Sequence, residues 1–171
     1  MLDKNKEISI LFTRYTDFAS RMVCFFSGMK FSHVSIALDT NDEYFYSFNT
    51  KGFKKEFPRK HKNRTGNSIC YRLKISEESF YKLKELIEDF SNKQEDLSYN
   101  WIGVIFCIIG IPLFFSKKFF CSQFIAFILE AAGVMIFSKN YSKYLPGGIK
   151  KELDKKDFVY EKIVNPEFLN K

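Results

Sequence analysis

Cys121 and His33 are the residues whose types and settings can do chemistry together. Cys121 follows Phe119-Phe120 and precedes Ser122-Gln123-Phe124-Ile125-Ala126, a run that opens an apolar helix. The unpaired N–H groups and positive dipole end of a helix start favour a thiolate and can donate to a developing oxyanion. The chain has two histidines. His61 lies in a basic run with Arg59, Lys60, Lys62 and Arg64, where neighbouring cations disfavour the imidazolium. His33 opens a half-buried strand, a rigid element able to aim its ring at a helix terminus. A thiol and an imidazole so placed point to nucleophilic acyl transfer. On these residues alone the plainer readings stay open: a core cysteine on an apolar helix, and a satisfied structural histidine.

The elements that must position this pair follow from periodicity. Ile8 to Phe12 reads as a first strand, and Asp17 can cap a helix running to about Ser27, with Phe18, Met22 and Phe25 at helical spacing and Gly28 as its stop. Phe31 to Leu38 and Glu43 to Asn49 flank the turn cluster Asp39-Thr40-Asn41-Asp42 and predict a β-hairpin. Gly52 to Phe57 adds a strand, residues 58–67 a polar basic loop, and Ser68 to Ile75 another alternating strand. Ser76 caps a helix from Glu77 to about Asn92, with Phe80, Leu83, Leu86, Ile87 and Phe90 on one face. Trp101 to Phe115 is apolar throughout but shorter than the roughly 20 residues of a membrane span. It is expected as a buried helix, with a membrane-interface segment as the alternative. A helix from about Phe120 to Ala132 closed by Gly133, a loop at Tyr141 to Gly148, a short helix and a strand within Asp157 to Val164 complete the chain.

Two segments carry a family resemblance. Ser32-His33-Val34-Ser35-Ile36-Ala37-Leu38 resembles the histidine strand of the circularly permuted NlpC/P60-like papain-fold hydrolases, most closely their YiiX-like branch. Phe119-Phe120-Cys121-Ser122-Gln123-Phe124-Ile125 resembles their cysteine-bearing helix start. Arg21 and Phe26-Ser27-Gly28 ahead of the histidine, and Tyr99-Asn100-Trp101-Ile102-Gly103 ahead of the cysteine, are similar too, so the likeness spans most of residues 8–150. Histidine before cysteine is the permuted order. The resemblance implies an α+β fold, a papain-like antiparallel sheet of five or six strands packed against helices, and one domain over residues 1–171. It also implies a polar residue, on the strand after the histidine strand, that orients the imidazole. Ser47 and Asn49 share a face of that strand, and Glu56 on the next strand is a third candidate. The strand itself carries no Asp or Glu, so a Cys–His dyad with a weak orienter is the alternative.

The implied activity is cleavage of amide bonds, peptidase or amidase-like, through a thioester acyl-enzyme, with no cofactor and no metal. Lipid acyl transfer or thioester hydrolysis on the same fold is the second expectation. A non-catalytic peptide- or lipid-binding domain is the third. Composition bears on partners. The net charge is +7, but the lysines are scattered and no zinc-finger or RNA-binding signature accompanies them, so nucleic acid is not expected. The 21 phenylalanines supply a core and could also line an apolar groove, which leaves a peripheral membrane or lipid contact open. Cys24, Cys70, Cys107 and Cys121 form no C-x-x-C pair, and Met1 to Glu7 leads into no signal-peptide core. Free thiols and that start favour the cytoplasm.

Overall fold

Apolar residues alternate along β1 (Lys6–Tyr15), and Ile8, Ile10 and Phe12 are fully buried on one face of a sheet. The computed structural model describes residues 5–16, 18–27, 30–58 and 64–169. Around β1 the chain lays down α1 (Phe18–Ser27), β2 (His33–Ala37), β3 (Phe45–Asn49), β4 (Gly52–Glu56) and β5 (Arg64–Ile75). Then follow α2 (Glu77–Asn92), β6 (Ser98–Tyr99), α3 (Trp101–Ile108), β7 (Lys118–Phe119), α4 (Cys121–Ala131), α5 (Pro146–Leu153) and β8 (Val159–Val164). Six strands form one sheet in the order β4-β3-β2-β1-β5-β8, each pair antiparallel. β6 and β7 form a separate short parallel pair. The α+β class and antiparallel sheet agree with expectation.

Both faces of the sheet are covered. One carries Ile8, Ile10, Phe12, Val34, Ile36 and Phe48 against α2 and α4. The other carries Leu11, Ala37, Phe45 and Cys70, covered by Leu169 of a C-terminal 3₁₀ turn, with Phe168 stacked on Phe45. The abundant phenylalanines find their place on the first face, where Phe48, Phe53, Phe90, Phe119 and Phe124 form one aromatic cluster with ring centroids as close as 5.0 Å. These five fill the core, while Phe25, Phe114 and Phe115 are exposed.

Local signals explain most boundaries. The Ser76 side chain accepts from the Ser79 N–H, and Glu77 and Glu78 occupy the first turn of α2. Gly133, at φ 71°, closes α4. In the hairpin turn the Asp39 carboxylate accepts from the Asn41 N–H, and Asp42 takes φ 61°. Arg72 then clamps that turn, reaching both Asp42 carboxylate oxygens at 2.6 and 2.5 Å.

Two expectations are corrected. Residues 64–67 belong to β5, not to a basic loop. The stretch from Trp101 to Phe115 is not a buried helix. α3 ends at Ile108, Gly110 takes φ 80°, and most of the large apolar side chains lie at the surface. Only Gly103, Val104 and Cys107 of α3 are inside. On α1, Cys24 is buried while Phe25 is exposed. The proposed cap Asp17 and stop Gly28 lie outside the described residues.

Candidate active site

α4 is apolar on nearly every side because it is buried on nearly every side, from Phe124 through Leu129. Its sequence opens with Cys121 at the first helical position, after Phe120, whose side chain makes no capping hydrogen bond. The N–H groups of Cys121, Ser122 and Gln123 consequently have no hydrogen-bond partner among the described residues. The Cys121 thiol is 4% exposed, and Sγ lies 3.9 Å from the Ser32 carbonyl oxygen, the residue just before His33. Helix start and strand start thus meet.

The first turn of α4 is also where α3 is fastened. Asn100 caps α3 by accepting from the Gly103 N–H at 2.8 Å, and its amide nitrogen donates to Gln123 Oε1 at 3.3 Å. Gln123 Nε2 donates onward to the Leu113 carbonyl at 3.1 Å. Asn100 and Gln123 are both buried, so this amide relay satisfies groups that water cannot reach. Neither residue is marked as a positioning group by the sequence alone, although Gln123 lies in the cysteine-bearing segment of the resemblance and Asn100 in the similar stretch ahead of it. A buried amide next to a helix start is the signal that could have found them.

His33 is buried, and its Nε2 lies 2.8 Å from Glu56 Oε2. That contact leaves the other ring nitrogen clear of Glu56, and the nearby Cys121 thiol is one of the groups that raise the imidazole's pKa. The Tyr15 ring packs 5.2 Å from the imidazole, centroid to centroid. Burial by itself pushes the imidazole toward its neutral form. The Glu56 carboxylate first, then Tyr15 and the bonds to Cys121 and Glu56, outweigh it and raise the His33 pKa well above its ordinary value.

Of the three candidates for the group that holds the imidazole, Glu56 makes the contact. Ser47 does not: its hydroxyl donates to the Val34 carbonyl at 2.7 Å and so ties β3 to β2. Asn49 acts one step away, its Nδ2 donating to Glu56 Oε1 at 3.1 Å. Glu56 thereby has one oxygen on His33 and the other on Asn49. The carboxylate comes from β4, one strand beyond the strand on which the resemblance implied it.

The remaining candidates fall elsewhere. Cys24, Cys70 and Cys107 are buried and form no disulfide among the described residues. Burial pushes the Cys70 and Cys107 thiols up to about 12. His61 lies outside the described residues. Two buried hydroxyls, Thr13 Oγ1 and Ser122 Oγ, have no hydrogen-bond partner among the described residues. Buried unpaired hydroxyls are rare, and these two neighbour His33 in strand register and Cys121 in sequence.

Comparison with protein-family models, with curated proteins and with solved structures finds no match in any of the three. The geometry of Cys121, His33 and Glu56 therefore carries the functional argument.

Proposed function

We propose that the protein is a cysteine hydrolase of amide bonds, built as a circularly permuted NlpC/P60-like domain of the YiiX-like kind. The observation that carries this reading is the buried His33–Glu56 contact standing beside a cysteine at a helix start. A carboxylate on one nitrogen fixes the imidazole and strengthens it as a base, so that its other nitrogen can take a proton from Cys121. The order of residues and the two resembling segments support the same assignment.

In this mechanism His33 takes the Cys121 proton as the sulfur attacks the substrate carbonyl carbon. The carbonyl π electrons move to oxygen, and the first-turn N–H groups of α4 receive that oxyanion. Collapse expels the amine, which leaves with the proton from His33, and a thioester on Cys121 remains. His33 then deprotonates a water that attacks the thioester, and the carboxylic acid departs as the thiolate is restored. Asn49 positions Glu56, and Glu56 positions His33. The four free thiols support a reducing compartment, so we place the activity in the cytoplasm.

A second reading, transfer or hydrolysis of lipid acyl groups, is favoured by one observation. The wall beside Cys121 is α3, whose outer side exposes large apolar residues. Incubation with short peptides and with fatty acyl esters, read by intact mass and product release, tests both. Peptide cleavage that disappears in Cys121→Ala supports amide hydrolysis. An acyl adduct on Cys121 from the lipid esters alone moves the assignment to acyl transfer. Ligand binding without turnover or adduct, unchanged in Cys121→Ala, removes the enzyme assignment and leaves a binding domain.

A further inference from the structure

Among the described residues twelve large hydrophobic side chains are exposed, and seven of them fall between Trp101 and Phe115. They are Trp101, Ile102, Ile105, Ile109, Ile111, Phe114 and Phe115, with Ile105 and Ile109 60% and 61% exposed. α3 turns its small residues inward, Gly103 and Cys107 with Val104, and its bulky ones outward. That is the reverse of an ordinary surface helix. A contiguous apolar stretch of this kind marks an interaction site.

Charge indicates what covers it. From Glu95 to Tyr144 the chain carries four lysines, Lys117, Lys118, Lys139 and Lys143, and three carboxylates, Glu95, Asp96 and Glu130, with Lys117 Nζ 3.8 Å from Asp96 Oδ2. Lys117 and Lys118 directly follow the apolar run, and the Lys118 ammonium lies over the Phe115 ring. Lys139 and Lys143 flank Tyr141, whose ring packs on Phe114. Apolar residues bordered by lysines fit an interface of acyl chains beneath anionic headgroups. The one tryptophan, Trp101, packs against Tyr99, and such rings suit the headgroup level of a bilayer. α3 has eight residues, and no helix among those described is long and apolar enough to cross a membrane. The surface would therefore lie on a bilayer without spanning it. A second copy of the chain fits less well, because a two-fold contact would bring the lysine border toward its own image.

We infer that the outer face of α3 and the loop to Phe115 is a docking surface for an anionic lipid bilayer. The inner side of the same helix packs Val104 and Cys107 against Phe120, the residue before Cys121. Docking would bring the candidate nucleophile to the membrane surface, a consequence that rests on the hydrolase reading; the docking itself does not.

The test uses the full chain carrying Cys121→Ser, so that binding is read without turnover, while hydrolysis is tested separately on soluble peptides. Phosphatidylcholine vesicles with and without phosphatidylglycerol are added, and Trp101 emission and co-sedimentation are followed. The expected result is a blue shift and binding about tenfold tighter on the anionic vesicles, weakened by salt. Ile105→Glu with Ile109→Glu, both at exposed positions, should abolish binding while the melting temperature holds. Should that pair not fold, Lys117→Glu with Lys118→Glu should remove the anionic preference. Absence of binding to anionic vesicles at low salt overturns the inference, as does equal binding by a folded variant. Concentration-dependent dimerisation lost in Ile105→Glu, without vesicle binding, would give the face to a second copy.

Discussion

The His33 imidazole is pulled two ways, toward the neutral form by burial and toward the charged form by Glu56, and the carboxylate prevails. Removing it should reverse the outcome. In Glu56→Gln the His33 ring resonances should titrate at clearly lower pH, because burial remains and its counterweight does not. The raised native value also makes a linkage prediction. A group more basic when folded contributes stability that is full below its unfolded value, near 6.5, and is lost as pH rises through the folded value. Denaturant midpoints should thus fall as pH is raised above neutrality, and the slope should vanish in Glu56→Gln. Reactivity follows the same logic. Brief iodoacetamide treatment should label Cys121 first, while Cys70 and Cys107, with thiols pushed up to about 12, stay unlabelled until unfolding. His33→Ala and Glu56→Gln should each slow Cys121 labelling by about 10²-fold. Ser47→Ala, which breaks only the bond to the Val34 carbonyl, should cost about 1 kcal/mol of stability and keep the labelling pH profile.

At the scale of elements, the site depends on how α3 is held over the start of α4. Gln123 makes two bonds in opposite directions, to Asn100 and to Leu113. Gln123→Leu keeps the volume but strands both partners, so about 1–3 kcal/mol should be lost. Hydrogen exchange should rise in residues 101–108 before it rises in the sheet, because those amides lie on the loosened helix. Gly52 is the matching point on β4, at φ 89°, where an added Cβ would sit 2.3 Å from the Leu97 carbonyl oxygen. Gly52→Ala should therefore destabilise, by more than the approximately 1 kcal/mol that the same change gains at a site of compatible backbone, and should disturb Glu56 on the same strand. Thermal unfolding with Cys121 labelling rates reads both effects.

Across the whole molecule, one aromatic cluster joins the sheet to α2 and α4. Phe124 touches Phe48, Phe53 and Phe90, at centroid distances of 5.2, 5.5 and 5.0 Å. Phe124→Ala should cost about 3–5 kcal/mol, read as a lower denaturant midpoint with an unchanged slope. The same change should slow Cys121 labelling only as far as it unfolds the chain, since none of these rings takes part in the His33–Glu56 contact. The phenylalanines of the cluster lie inside, while Phe114, packed edge-on against Phe119, and Phe115 are exposed on the α3 side.

Local chemistry was enough to read α2 with its Ser76 cap, the β2–β3 hairpin with its Asp-rich turn, and Cys121 at a helix start, because short-range hydrogen bonding and periodicity fix each of these. Cys121 and His33 are candidates by type and setting, and it is the family resemblance that selects them over a core cysteine and a structural histidine. What the sequence could not decide was which polar group meets His33, since Ser47, Asn49 and Glu56 are all compatible with strand alternation. The choice is made by how far a side chain reaches across neighbouring strands, a property of the assembled sheet. Nor could it decide the fate of residues 101–115. An unbroken apolar run reads as core by composition, and only the packing of α3 on Phe120 and its amide ties to α4 leave the bulky side outward. Periodicity records which residues avoid water; it does not record what the finished fold has left to cover them.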